Sequence, residues 1–173
     1  MNDLSKYNKV RRYLNTGDLV EWRTNSLIGW MIRLRTGSHV NHSSLVVKFD
    51  FDGCQQRRYI LEANAQGIEL RLLSKRLERH KGRAYWSPLK AGYNGYRDRV
   101  LGWALDKVGT EYDYGSLFKQ FLGYVSVDGE KYFCSEFYQA AVEYAEILPH
   151  QDHAIQPGQF HQLGFLGFEC TIL

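Results

Sequence analysis

The period of the apolar pattern changes partway along the chain, and this change constrains the fold more than any other feature. Between residues 18 and 87 the apolar residues fall in short runs: Asp18-Leu-Val-Glu-Trp22, Ser43 to Phe49 (SSLVVKF) and Arg58-Tyr-Ile-Leu-Glu62. Runs of this length, alternating or filled with β-branched residues, are strands, because successive side chains leave opposite faces of a sheet. Asp50-Phe-Asp-Gly53 reads as the turn of an antiparallel hairpin, and Gly67–Leu72 and Ala84–Ser87 extend the sheet. One helix interrupts this half, from Ser26 to Arg35, with Leu27, Ile28, Met31 and Leu34 on one face and Gly37 as its stop.

Beyond residue 94 the spacing becomes helical. Tyr96, Val100, Ala104 and Val108 follow a candidate cap at Asn94, and Gly109 closes that helix. A second helix runs from Cys134 to Ile147 with Phe137, Ala140, Ala141 and Tyr144 as its buried stripe, ended by Pro149. Strands first and helices after is the α+β pattern, an antiparallel sheet packed against a helical layer that carries the Cys134 helix. The 173 residues contain no repeat, low-complexity tract or proline-rich linker, so residues 1–173 are expected to form a single domain.

Composition removes several function classes. A net charge of +3 lacks the concentrated basicity of a nucleic-acid binder. The densest basic stretch, Arg71 to Arg83, reads as a solvated helix face with Leu72, Leu73 and Leu77 toward a core. Three cysteines, Cys54, Cys134 and Cys170, with no CxxC pair fit neither a disulfide framework nor a four-ligand zinc site, so reduced thiols are expected. The first residues lack the apolar run of a signal peptide, and no stretch is long and apolar enough to span a bilayer. The expectation is a cytoplasmic protein as synthesised.

The chemistry-bearing residues cluster on these elements. A helix starting at Cys134 turns the thiol to the side of Phe137, toward the sheet, and its unpaired backbone N–H groups favour a thiolate. A lone cysteine is nevertheless more often an inert core residue. His42 enters the Ser43–Phe49 strand from a Gly-Ser-His-Val-Asn loop, and its imidazole is expected to project toward the helix layer as a base. His39, three residues earlier, competes for that role. The two histidines would also suit a metal, but no carboxylate or thiol cluster accompanies them in sequence. Glu62, on the returning strand, is placed to orient the imidazole, with Asn64 as the fallback.

In order along the chain, Thr16-Gly-Asp-Leu-Val20, Arg35-Thr-Gly-Ser-His-Val-Asn-His42, Ile60-Leu-Glu62-Ala63, Tyr112-Asp113 and Phe133-Cys134-Ser-Glu136-Phe137 resemble the permuted papain-like amidases. These are the YiiX-like branch of the NlpC superfamily of cysteine hydrolases, in which the histidine strand precedes the cysteine helix. The resemblance implies a circularly permuted papain-like fold and a catalytic set of Cys134 as nucleophile, His42 as base and Glu62 as the polar third member. Ser43 and Ser44 depart from the small residue and Gly that often follow the family's histidine. Glu136 matches the acidic residue after the family's Cys-Ser, where a first-turn carboxylate favouring the helix dipole is a sufficient account.

The expected reaction is acyl transfer to water through a thioester, with no metal or organic cofactor. The Cys134 backbone N–H would hold the oxyanion, with Tyr132 as second donor and Tyr112 as a further substrate-side candidate. A peptide amide is the first substrate, with a peptidoglycan stem peptide as the family's example. The alternatives are lipid acyl hydrolysis or transfer, as in lecithin:retinol acyltransferase-like proteins, and a catalytically silent binding module.

Overall fold

The computed structural model describes residues 1–51, 53, 57–64, 67–109 and 133–173. Six strands form one sheet in the order β4-β3-β2-β1-β5-β6. They are β1 Leu19–Thr24, β2 His42–Val47, β3 Tyr59–Asn64, β4 Gly67–Leu72, β5 Gly82–Ser87 and β6 Cys170–Thr171. Every neighbouring pair is antiparallel, so the alternating runs of the first half account for the sheet apart from its last edge strand. The helices are α1 Ser5–Val10, α2 Leu27–Thr36, α3 Leu73–Arg79, α4 Arg97–Asp106 and α5 Phe133–Tyr144. The α+β class is therefore the observed one.

Two cores flank the sheet. Leu19, Leu45, Val47 and Leu61 face α4, α5 and the C-terminal segment, meeting Val100, Ala104, Tyr138, Ala141 and Phe160. Val20, Trp22, Val46 and Ile60 face the other way, onto Leu73 and Leu77 of α3, Tyr7 of α1 and Ile172. The sheet is thus covered on both faces and not by one helical layer alone. The reason lies in the second face of the central strands, where Val20, Trp22, Val46, Ile60, Ala84 and Trp86 cannot be left to water.

Three helical expectations change in detail. Ser26 caps α2, its side chain accepting from the Gly29 N–H at 3.0 Å, and Gly37 ends it with a positive φ, as the pattern requires. Its apolar stripe, however, is exposed: Leu27, Met31 and Leu34, together with Trp30, face outward. Asn94 does not cap α4; it lies in a 3-10 turn, Ala91–Tyr96, and accepts from Arg97. In α5 the buried stripe is rotated from the expected one. Tyr138, Ala141, Val142 and Ala145 are buried with Phe137 and Cys134, whereas Tyr144 is exposed.

The Thr16-Gly-Asp turn ties β1 to both layers. The Gly17 carbonyl accepts from the buried Tyr138 hydroxyl at 3.0 Å, fixing α5 against the sheet. Asp18, fully buried, accepts from the Trp86 indole at 2.9 Å, the Leu89 N–H at 3.0 Å and Arg97 Nη1 at 2.9 Å. A buried carboxylate stripped of its cation is costly. Arg97→Ala is accordingly expected to lower unfolding stability by about 3 kcal/mol, read from the urea midpoint at neutral pH.

Candidate active site

His42 is the first residue of β2 and lies directly opposite Trp22 on β1. Alternation places it on the face of Ser44 and Val46, toward α3, and not on the face that α5 covers, which corrects the direction expected from sequence. Glu62 shares that face, two residues beyond Ile60, and its Oε2 sits 2.7 Å from His42 Nε2. The pairing is a consequence of register: β2 and β3 are antiparallel neighbours, so same-face side chains meet across the strands.

Glu62 is itself held from behind. Arg76 Nε donates to Glu62 Oε1 at 3.1 Å, and Arg71 Nη1 lies 4.0 Å from the same oxygen. The Arg76 guanidinium stacks over Trp22, 4.6 Å from the ring centroid, and its Nη1 meets His80 Nδ1 at 3.3 Å. His80 Nε2 donates to the Arg23 carbonyl at 3.1 Å, which fixes the tautomer that leaves Nδ1 as an acceptor. Arg76 is therefore an inward-facing member of the site. The sequence had given it only as part of a solvated basic face, because nothing local marks which of several cations on a short helix turns inward.

Cys134 is the second residue of α5 and is buried. It is near enough to the His42 imidazole to act on its charge. With Nε2 engaged by Glu62, Nδ1 is the nitrogen left for the thiol. His42 stands at the very start of its strand, where β2 has no preceding residue in the ladder.

The charges of the three groups support one another. Burial alone would strip the proton from His42, but the negative charge at Cys134, its hydrogen bond, and Glu62 outweigh it and raise the pKa to about 10. Burial would likewise raise Glu62; the hydrogen bond and charge of His42, with Arg76, bring it down to about 2. The arrangement favours a protonated His42 paired to Glu62, and a protonated imidazole can give its proton to a leaving group.

The remaining sequence candidates fall as follows. His39 bonds Glu169 Oε2 at 3.1 Å. Asn64 donates to Glu69 Oε2 at 2.8 Å, while Glu62 makes the direct contact with His42. Burial pushes the Glu136 carboxyl up to about 7, opposite to the anion stabilisation expected of a first-turn residue. Cys170 is a free, partly exposed thiol. Tyr112, Tyr132 and Cys54 lie outside the described residues. The sequence reading missed a second polar group altogether: Glu21, His161 and Glu169 converge with ligand atoms within 4.8 Å of one another. Their separation along the chain left no spacing signal.

Among solved structures, one titled "Crystal structure of metalloprotein yiiX from Escherichia coli O157:H7" shares the fold, with a TM-score of 0.54 at 17% identity over 92% of this chain and 96% of that one. A comparison with curated proteins finds no match. Residues 13–169 match the family described as "Permuted papain-like amidase enzyme, YaeF/YiiX, C92 family". The match spans β1, the His42 strand, the Glu62 strand and the Cys134 helix in one frame, and the chain belongs to this family of permuted papain-like amidases.

Proposed function

We propose that this protein hydrolyses an amide bond through a thioester on Cys134, with His42 as general base and then general acid and Glu62 as the residue that positions His42. The observation that carries this reading is one imidazole held by Glu62 at 2.7 Å with the buried Cys134 close enough to act on its charge. In the first step the sulfur attacks the carbonyl carbon while its proton rests on His42 Nδ1. Collapse of the tetrahedral intermediate breaks the C–N bond, and the amine leaves with that proton. Water, deprotonated by the same nitrogen, then cleaves the thioester and releases the acid. The oxyanion is held by the Cys134 backbone N–H, one of the first-turn donors that have no intrahelical partner.

A peptide amide such as that of a peptidoglycan stem peptide is the proposed substrate, in keeping with the family. A second reading, cleavage or transfer of a lipid acyl chain, draws on α2. Its outward Leu27, Trp30, Met31 and Leu34 lie on the helix whose C-terminal loop leads into His42 and would suit an acyl chain or lipid surface. Hydrolysis of stem-peptide amides against long-chain acyl esters separates the two. The structural neighbour is titled a metalloprotein. Among the described residues the donors that fit an ion are Glu21, His161 and Glu169, none of which belongs to the Cys134, His42 and Glu62 set, and the thioester route passes through no ion.

Alkylation of Cys134, followed by peptide mass spectrometry with Cys170 as internal reference, tests the reading. Cys134 is expected to react at least about tenfold faster than Cys170 near pH 6 despite its burial, and to lose that advantage in His42→Ala. A Cys134 that reacts no faster than Cys170 and ignores His42 would favour the silent binding module.

A further inference from the structure

Glu21, His161 and Glu169 meet on the α5 side of the sheet, with His39 bonded to Glu169. Glu21 projects from β1 onto the face of Leu19, and its carboxylate is 1% exposed. His161 Nε2 lies 3.2 Å from Glu21 Oε2 and 3.6 Å from Glu169 Oε2. Glu169 Oε2 is also 3.1 Å from His39 Nε2. Glu21 Oε1 is taken by the Gly158 N–H at 2.6 Å, so Oε2 is the oxygen presented to the cluster.

His161 Nε2 faces Glu21 Oε2, Glu169 Oε2 and, at 3.3 Å, the Ser87 hydroxyl. Two donors on one tetrahedral ion, each bonded at about 2.0 to 2.1 Å, stand about 3.3 Å apart. The separations of 3.2 and 3.6 Å bracket that value, and the 3.6 Å one is too long for a hydrogen bond.

A second mark is independent of the cluster's own contacts. Ser43 is fully buried, and its hydroxyl is the one buried side-chain polar atom without a hydrogen-bond partner among the described residues. It is the cross-strand partner of Glu21 and lies on the same face of the sheet. A buried orphan hydroxyl is uncommon and costly. Its place beside the innermost carboxylate of the cluster is where an ion or its bound water would supply the missing partner.

We infer that Glu21, His161 and Glu169 form a binding site for a divalent first-row transition metal ion, with Zn(II) the best fit to imidazole and carboxylate donors in a tetrahedral spread and water as the fourth donor. The ion ties the C-terminal segment, through His161 and Glu169, to β1, and the Glu169–His39 hydrogen bond extends that tie to the loop that delivers His42 three residues later. Its role is to brace the histidine side of the active site, and it stands whether or not Cys134 proves to be a nucleophile.

Calorimetric titration of the chelator-stripped protein with Zn(II) tests this, alongside the variants His161→Ala, Glu169→Gln and Cys134→Ser. The expected result is one equivalent bound by wild type and by Cys134→Ser, at least tenfold weaker binding in His161→Ala and Glu169→Gln, and a Zn(II)-dependent rise in thermal midpoint for wild type that both ligand variants lose. Glu169→Gln, at a partly exposed position, keeps the test valid if His161→Ala folds poorly. Absence of saturable binding below about 1 mM, a stoichiometry unchanged in both ligand variants, or loss of binding in Cys134→Ser would each overturn the site, the last by moving the ion to the thiol.

Discussion

Cys134→Ala is expected to reduce kcat for amide hydrolysis by about 10⁴-fold or more, with the thermal midpoint little changed. The sulfur is the atom that forms the bond to substrate, and no neighbouring group replaces it. The change from thiol to methyl removes one small buried atom from the start of α5, where the packing of Tyr138, Ala141 and Val142 is set further along the helix. His42→Ala is expected to lose a similar factor. The double variant should be no worse than either single one, because two residues that act as one unit lose their joint contribution once. Stopped assays on a stem-peptide amide check this; activity within tenfold of wild type in Cys134→Ala would sink the nucleophile assignment.

Glu62→Gln is expected to lower kcat by about 10³-fold while leaving KM within a few-fold, which marks a positioning role. Arg76 Nε donates to Oε1, so the Gln oxygen stays with Arg76 and its NH₂ turns to His42 Nε2. Nε2 must then accept, which places the imidazole proton on Nδ1, the nitrogen that has to take the proton of Cys134. The base is lost by tautomer and not by displacement.

The same substitution has a pH signature in stability. His42 rises from 6.5 to about 10 on folding, so its contribution is complete below about pH 6.5 and fades as pH climbs toward 10. Glu62 falls from 4.5 to about 2, so its contribution is complete above about pH 4.5 and fades as pH drops toward 2. Wild type should therefore exceed Glu62→Gln by most between about pH 4.5 and 6.5, with the gap narrowing on both sides. On the alkaline side it should not close, because Arg76 stays charged and paired to Glu62. Urea midpoints near pH 3, 5.5 and 9.5 read this directly.

Much of the site was legible in one dimension because it depends on local position. A cysteine at the head of a helix, a histidine at the head of a strand and a glutamate on the hairpin partner are each placed by patterns a few residues long. The exposed face of α2 was misread for the same reason. Leu27, Met31 and Leu34 recur at the spacing of a buried stripe, and period reports that a face is apolar without reporting what lies against it.

By itself, then, the sequence determined the α+β class, the antiparallel hairpins and the Ser26 and Gly37 ends of α2, and put forward Cys134, His42 and Glu62 as the candidate trio. These follow from side-chain period, backbone capping and short-range order, which are properties of neighbouring residues. Only the tertiary structure decided that both faces of the sheet are covered, that His42 lies near Cys134, that Arg76 turns inward over Trp22, and that Glu21, His161 and Glu169 share one locus. Those relations join residues up to 148 positions apart, as Glu21 and Glu169 are. They are set by strand order, register and the packing of two cores, and no residue's immediate neighbours encode them.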